Sequence, residues 1–257
     1  MTMPLELVTI PCLTDNYAYL IHDVETGQTA VVDVPDAAPI LAALKSRSWT
    51  LSDILITHHH ADHIQGVEAL RAATGAMVLG AAADAHRLPK LDLALTAESS
   101  FSIGAEFAAV IDVPGHTIGH IAFHFPASGL AFTADSLMAG GCGRLFEGTP
   151  AQMWQSLKKL AALPPETLIC SGHEYTASNL RFALTLEPDN PALISRIAEV
   201  AAKRAHSRPT LPVRLSVELE TNPFLRADLP ALKTAVGMPG AGDVTVFAEI
   251  RARKDKF

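Results

Sequence analysis

The chain has 257 residues, of which 49% are hydrophobic and 18% charged, a composition that suits one large folded domain, or one with an appendage, and excludes a disordered chain. Its formal net charge of −7, from 20 basic and 27 acidic residues, argues against a nucleic-acid binder, whose footprint is basic. No apolar run reaches about 18 residues, so no membrane span is expected, and the opening MTMPLELVTIPC lacks the pattern of a secretory leader.

Taken in chain order, LELVTI (5–10), YAYLI (17–21) and TAVVDV (29–34) read as strands separated by turn residues. DAAPILAALKSR (36–47) has helical spacing, DILIT (53–57) is a short apolar strand, and GVEALRAATG (66–75) is a helix stopped by Gly75. AMVLG (76–80), FAAVIDVPG (107–115), HIAFHFP (120–126), LAFTAD (130–135) and TLICSG (167–172) are strand-like. The helix AQMWQSLKKLAAL (151–163) is introduced by Thr149-Pro150. Interleaved strands and helices imply an α/β body. Beyond about residue 175 the chain turns helical, with 179–187, 191–207 and 228–237 divided by prolines. Cys12, Cys142 and Cys170 form no CxxC pair, which suits small buried thiols in a reducing cytoplasm.

The stretch THHHADH, residues 57–63, carries four of the 11 histidines. If the chain stays extended past Thr57, His58, His60 and Asp62 share a face, with His63 joining after a turn. Imidazoles and carboxylates gathered without a cation leave lone pairs unsatisfied, and a divalent metal resolves this. His59 points away and is expected to support or pack. His116, Asp135 and His173 each follow a strand, where loops build sites along a sheet edge. His120 and His124 alternate within a strand and read as structural, and His22, His86 and His206 have no metal-like context. The candidate donors are then His58, His60, Asp62, His63, His116, Asp135 and His173. Seven donors are too many for one four-coordinate ion. They suit two ions about 3.5–4 Å apart, bridged by a carboxylate and a water that deprotonates near neutral pH. That arrangement predicts hydrolysis.

The THHHADH stretch resembles the signature of the metallo-β-lactamase superfamily. PCLTDNYAYLI (11–21), VPGHTIGHI (113–121), FTADSLMAGGCGRLFEGT (132–149), SGHEYTASNLRFA (171–183), TNPFLR (221–226) and RARKDKF (251–257) resemble one branch of it, the glyoxalase II or hydroxyacylglutathione hydrolase family. The resemblance implies an α/β fold, the metallo-β-lactamase αββα sandwich over 1–175, with a C-terminal helical, glutathione-binding domain over 176–257. It implies that His58, His60 and His116 hold one metal ion and Asp62, His63 and His173 a second, with Asp135 bridging. Zinc is the foremost metal, with iron or manganese as alternatives. Asp62 and Asp135 carry catalytic roles in this reading.

The same resemblance implies substrate contacts from Arg144, Phe146, Tyr175, Arg251 and Lys254. Phe146 stands where some members have tyrosine, so one hydroxyl contact is missing. The implied reaction is hydrolysis of S-(2-hydroxyacyl)glutathione thioesters, S-D-lactoylglutathione above all, to glutathione and D-lactate. This is the second step of methylglyoxal detoxification, here expected of a cytoplasmic monomer. The alternatives are a single-iron glutathione persulfide dioxygenase, against which the long helical segment argues, a β-lactamase or lactonase, and a non-catalytic metal binder.

Overall fold

The computed structural model describes residues 5–257, so the reading of the first residues as leader-free falls partly on 1–4, outside the described residues. The chain divides into two compact units. One runs to Asp112 and takes in Gly119–Ala134; the other comprises Val113–Ile118 and Asp135–Phe257.

In the first unit, β1 (Glu6–Cys12), β2 (Asn16–His22), β3 (Thr29–Val32), α1 (Ala37–Arg47), β4 (Asp53–Leu55), α2 (Ala61–Ile64), α3 (Val67–Thr74), β5 (Met77–Ala81) and β6 (Leu93–Leu95) precede β7 (Ser100–Ile103), β8 (Glu106–Asp112), β9 (Ile121–Phe125) and β10 (Leu130–Ala134). β1 to β6 form one sheet in chain order, antiparallel from β1 to β3 and parallel from β3 to β6. β7 to β10 continue as an antiparallel run in a second sheet.

Every residue of β2 and β3 is buried, and this explains why these strands read as unbroken apolar runs. Alternate side chains serve opposite layers. Ala18, Leu20, Val31, Ile54 and Ile56 pack with Ile40 and Leu44 of α1 and with Val67 and Leu70 of α3. On the other face Tyr19 meets Phe132 of β10 at 5.6 Å between ring centroids, which ties the two sheets together. α1 begins where Asp36 accepts from Ala38 N at 2.9 Å.

In the second unit, β11 (Leu137–Met138) and β12 (Gly141–Cys142) form a small hairpin. α4 (Pro150–Ala161) starts with a reciprocal capping box between Thr149 and Gln152, with Pro150 in its first turn. β13 (Leu168–Ser171) then leads to α5 (Thr176–Leu186) and α6 (Pro191–Ala205). β14 (Val213–Arg214) pairs antiparallel with β13 and runs into α7 (Leu215–Thr221), followed by α8 (Pro230–Ala235) and α9 (Asp243–Asp255). Leu180 and Ala183 of α5 pack with Leu193 and Val200 of α6.

Some elements differ from expectation. β4 stops at Leu55, two residues short of the expected strand. The closing basic segment is helical: Arg251 and Lys254 lie on α9, and Ile250 and Arg251 are buried. The short strands β6, β7, β11, β12 and β14 carry too little periodicity to be read from sequence. Among the described residues no helix is long and apolar enough to cross a membrane. His22 bonds Thr29 Oγ1 at 2.8 Å and stacks on Trp49, and His206 donates to Ala202 O at 2.9 Å, so both are structural.

Cys12, Cys142 and Cys170 are all buried and unbridged. Burial pushes the Cys12 and Cys142 thiols up to about 11, and raises Cys170 further still. At pH 8 only about one Cys12 or Cys142 thiol in a thousand is then thiolate. Native protein at that pH is expected to resist a thiol-specific chromogenic reagent and to react at three sites once unfolded in guanidinium. Rapid labelling of the native chain would contradict this burial.

Candidate metal centre

The donors of the first unit are organised by one carboxylate. Asp33 ends the apolar run after β3, and its Oδ1 accepts from Thr57 N at 2.9 Å. Its Oδ2 accepts from Thr57 Oγ1 at 2.8 Å and from His63 Nδ1 at 2.8 Å. The Thr57 hydroxyl has one proton and gives it to Asp33, so at 3.0 Å it must accept from His58 Nδ1. Asp33 thus sets the tautomer of both histidines: each carries its proton on Nδ1 and its lone pair on Nε2. Sequence reading missed Asp33; an acidic residue at the end of a wholly apolar strand was its only signal.

His58 and His63 are fully buried. The His58 ring lies 4.8 Å from His60 and 4.2 Å from His63, and it stacks on His120 at 4.6 Å. Asp33, His58 and His63 each bring a donor atom into one cluster whose atoms lie within 4.8 Å of one another. The extended backbone ends at His60, and Asp62 lies on α2 rather than on a continued strand. That corrects the expected alternation: the helical turn, not a pleat, brings Asp62 towards His63, with Asp62 Oδ2 3.8 Å from His63 Nε2. Asn16, a second residue missed from sequence, donates to both Asp62 O and Asp62 Oδ2, at 3.1 and 3.0 Å. His59 turns aside to Asp84 at 3.2 Å and Arg87, as its odd position in the run implied.

The second unit holds the other three donors. Asp135 Oδ2 lies 3.4 Å from His116 Nε2 and 3.3 Å from His173 Nε2. His116 Nδ1 donates to Arg144 O at 2.7 Å, and a carbonyl can only accept, so this imidazole also keeps its lone pair on Nε2. Gly143 lets the backbone come this close: a Cβ there would fall 1.9 Å from Asp135 O and 2.9 Å from His116 Nδ1. The Phe146 ring meets His116 edge-on at 5.3 Å, and Tyr175 stacks on His173 at 4.7 Å.

The residues expected to hold substrate behave differently from one another. Arg144 and Phe146 are each 60% exposed, and Arg144 Nε is 3.5 Å from Asp255. Lys254 lies over the Phe182 and Phe257 rings, at 5.5 and 5.1 Å. Burial and the neighbouring Arg251 and Arg181 charges hold its ammonium below the ordinary lysine value. Arg251 is buried. Its Nη1 donates to Cys142 O at 2.9 Å and its Nη2 to Asp255 at 2.9 Å.

This donor chemistry can be tested for fit to a cation. In each unit an imidazole whose Nδ1 is held elsewhere turns its Nε2 to a carboxylate oxygen, His63 at 3.8 Å from Asp62 and His116 at 3.4 Å from Asp135, and His173 Nε2 lies 3.3 Å from the same Asp135 oxygen. Two lone-pair bearers at such range repel unless positive charge stands between them. Fixing Nδ1 by a carbonyl or carboxylate is how proteins orient metal-ligating histidines. Buried imidazole and carboxylate groups fit a divalent ion of the zinc, iron or manganese kind.

Comparison with known proteins agrees. Residues 14–173 match the profile of the metallo-beta-lactamase superfamily, and residues 174–257 match that of the hydroxyacylglutathione hydrolase C-terminus. The chain is 69% identical over 255 residues to a hydroxyacylglutathione hydrolase of Cereibacter sphaeroides, covering 99% of this chain and all of that one. Among solved structures, the BLEG-1 B3 metallo-beta-lactamase superposes with a TM-score of 0.67 at 22% identity, over 86% of this chain and 99% of that one. TTHA1623 in a di-iron-bound form gives 0.61 at 26% identity, over 86% of this chain and all of the other. With the metallo-β-lactamase fold and a C-terminal helical region of this type, the chain belongs to the hydroxyacylglutathione hydrolase family.

Proposed function

We propose that this protein hydrolyses S-(2-hydroxyacyl)glutathione thioesters, with S-D-lactoylglutathione as substrate and glutathione and D-lactate as products. The observation that carries the reading is the pair of Nδ1-anchored imidazoles, His63 and His116, whose Nε2 atoms face carboxylates, in a chain that matches a hydroxyacylglutathione hydrolase over 99% of its length. His58, His60 and His116 would hold one ion, and Asp62, His63 and His173 a second, with Asp135 shared. Zinc is the first choice for both, and iron or manganese suits the same ligands.

Such ions lower the pKa of water and polarise a carbonyl oxygen. The remaining work falls to the chain. Asp62, anchored by Asn16, accepts a hydrogen bond from the attacking water and aims it at the thioester carbon. The new bond is water oxygen to acyl carbon; the carbon–sulfur bond breaks, and the sulfur keeps the electron pair and takes up a proton. A thiolate leaves easily, so no strong general acid is needed. Arg144 and Lys254 receive the carboxylates of the glutathione peptide, with Phe146 and Tyr175 beside it. Arg251 contributes through Cys142 O. The single-iron dioxygenase reading is not favoured, since the C-terminal match is to a hydrolase over 174–257.

Purified protein is expected to turn over S-D-lactoylglutathione and to carry close to two divalent ions by elemental analysis. The Asp135→Ala variant should lose metal and at least about a hundredfold in kcat; full activity with both ions kept would remove Asp135 from the centre.

Phe146→Tyr restores a hydroxyl beside the peptide, and one added hydrogen bond is worth roughly 0.5–1.5 kcal/mol. KM should fall about twofold to tenfold, and an unchanged or higher KM counts against that contact.

Lys254 supplies a pH signature. An anionic peptide favours the protonated amine, so binding is full below the depressed pKa and weakens as pH rises through it. KM should climb on the alkaline side in the wild type and lose that rise in Lys254→Met; parallel profiles would exclude Lys254 from the contact.

A further inference from the structure

A single loop, residues 136–144, joins Asp135 to Arg144, and its backbone is held almost group by group by side chains of the same unit. Leu137 O accepts from Ser171 Oγ at 3.0 Å, and Ala139 O from Asn179 Nδ2 at 3.1 Å. Met138 O and Gly141 O share Asn222 Nδ2, at 3.2 and 2.9 Å. Cys142 O takes Arg251 Nη1 at 2.9 Å. Gly140 N donates to Glu218 Oε2 at 2.8 Å. Gly140 has φ +67, and a Cβ there would fall 2.7 Å from Leu180, so the loop backbone is pressed onto α5.

The most costly of these partners is Glu218. It is fully buried on α7, and its charge is met by the Arg196 guanidinium of α6, with which it forms a close ion pair, and by Asn222 Nδ2 at 2.9 Å. Arg196 is also buried and reaches Thr221 Oγ1 at 2.6 Å. A buried ion pair is weak evidence for stability, because apolar residues would fill the same space at less cost. It holds Glu218 Oε2 between the Gly140 amide and Asn222 Nδ2, and Asn222 in turn reaches two loop carbonyls.

We infer that Glu218 is a positioning residue for substrate: through Gly140 and Asn222 it fixes the loop that delivers Arg144 to the glutathione peptide. The inference rests on the thioesterase reading above. The helices after residue 175 would then act on affinity in two ways, by Lys254 directly and by Glu218 through the loop.

The test uses the full-length, metal-loaded chain. Glu218→Gln keeps the shape and removes the charge. Its KM for S-D-lactoylglutathione should rise about tenfold, the value of one charged hydrogen bond. Its kcat/KM for S-lactoyl-N-acetylcysteamine, a thioester without the peptide carboxylates, should stay within about twofold. Equal losses on both thioesters, or an unchanged KM, would overturn the inference. Hydrogen exchange of the substrate-free variant should show faster amides at 140–143 with the metal content unchanged, and unaltered exchange there would overturn it too. That readout still decides the matter if the wild type hydrolyses neither thioester, in which case the proposed reaction fails separately. Should Glu218→Gln not fold, Asn179→Ala, which strips only Ala139 O of its partner, must show the same pattern at smaller size, and its absence overturns the proposal equally.

Discussion

The candidate centre depends on which nitrogen of each imidazole carries the proton. A histidine can ligate only through the nitrogen that lacks one, and the protein decides this before any ion arrives. Asp33 decides it for His63 directly and for His58 through Thr57, while Arg144 O decides it for His116. The Nε2 atoms of His63 and His116 so directed face carboxylates, an arrangement that a divalent cation between them would stabilise. Ring nitrogens fixed by a supporting shell of hydrogen bonds are what a site preorganised for a metal looks like.

Much of this was legible in the residues. Buried strands announced themselves as apolar runs because both faces of β2 and β3 are covered. The helix starts at Asp36 and Thr149 were readable because capping is local chemistry. The candidate donors could be named from their types and their strand-end spacing, which have few other uses. Their supporting partners were not. Asp33 lies 30 residues from His63, and Asn16 lies 46 from Asp62, and only tertiary structure brings such pairs together. The extended reading of His58 through Asp62 failed because α2 starts after His60, in a stretch of four residues too short to show helical periodicity. The fate of Arg251 was equally hidden. A basic residue near a C-terminus invites a surface role, yet this one is buried against a carbonyl more than a hundred residues earlier.

In the proposed reading, the loop after Asp135 lets a helical segment serve a site through the backbone it holds as well as through a side chain it presents. Backbone amides and carbonyls carry no side-chain identity, so their partners define the position of the loop through its main chain. The glycines at 140 and 143 let the backbone approach α5 and His116 to distances that any side chain would forbid. Packing, hydrogen bonding and glycine choice therefore act on the same few residues.

The sulfur chemistry of the interior bears on the reaction's own product. An enzyme releasing glutathione works among thiols and their disulfides, which exchange with any accessible thiolate. Cys12, Cys142 and Cys170 are each walled off and kept protonated. Cys142 sits within the hairpin of β11 and β12, two residues before Arg144. Because that sulfur stays buried as a thiol, it is a poor partner for exchange with the oxidised form of the thiol that the reaction releases.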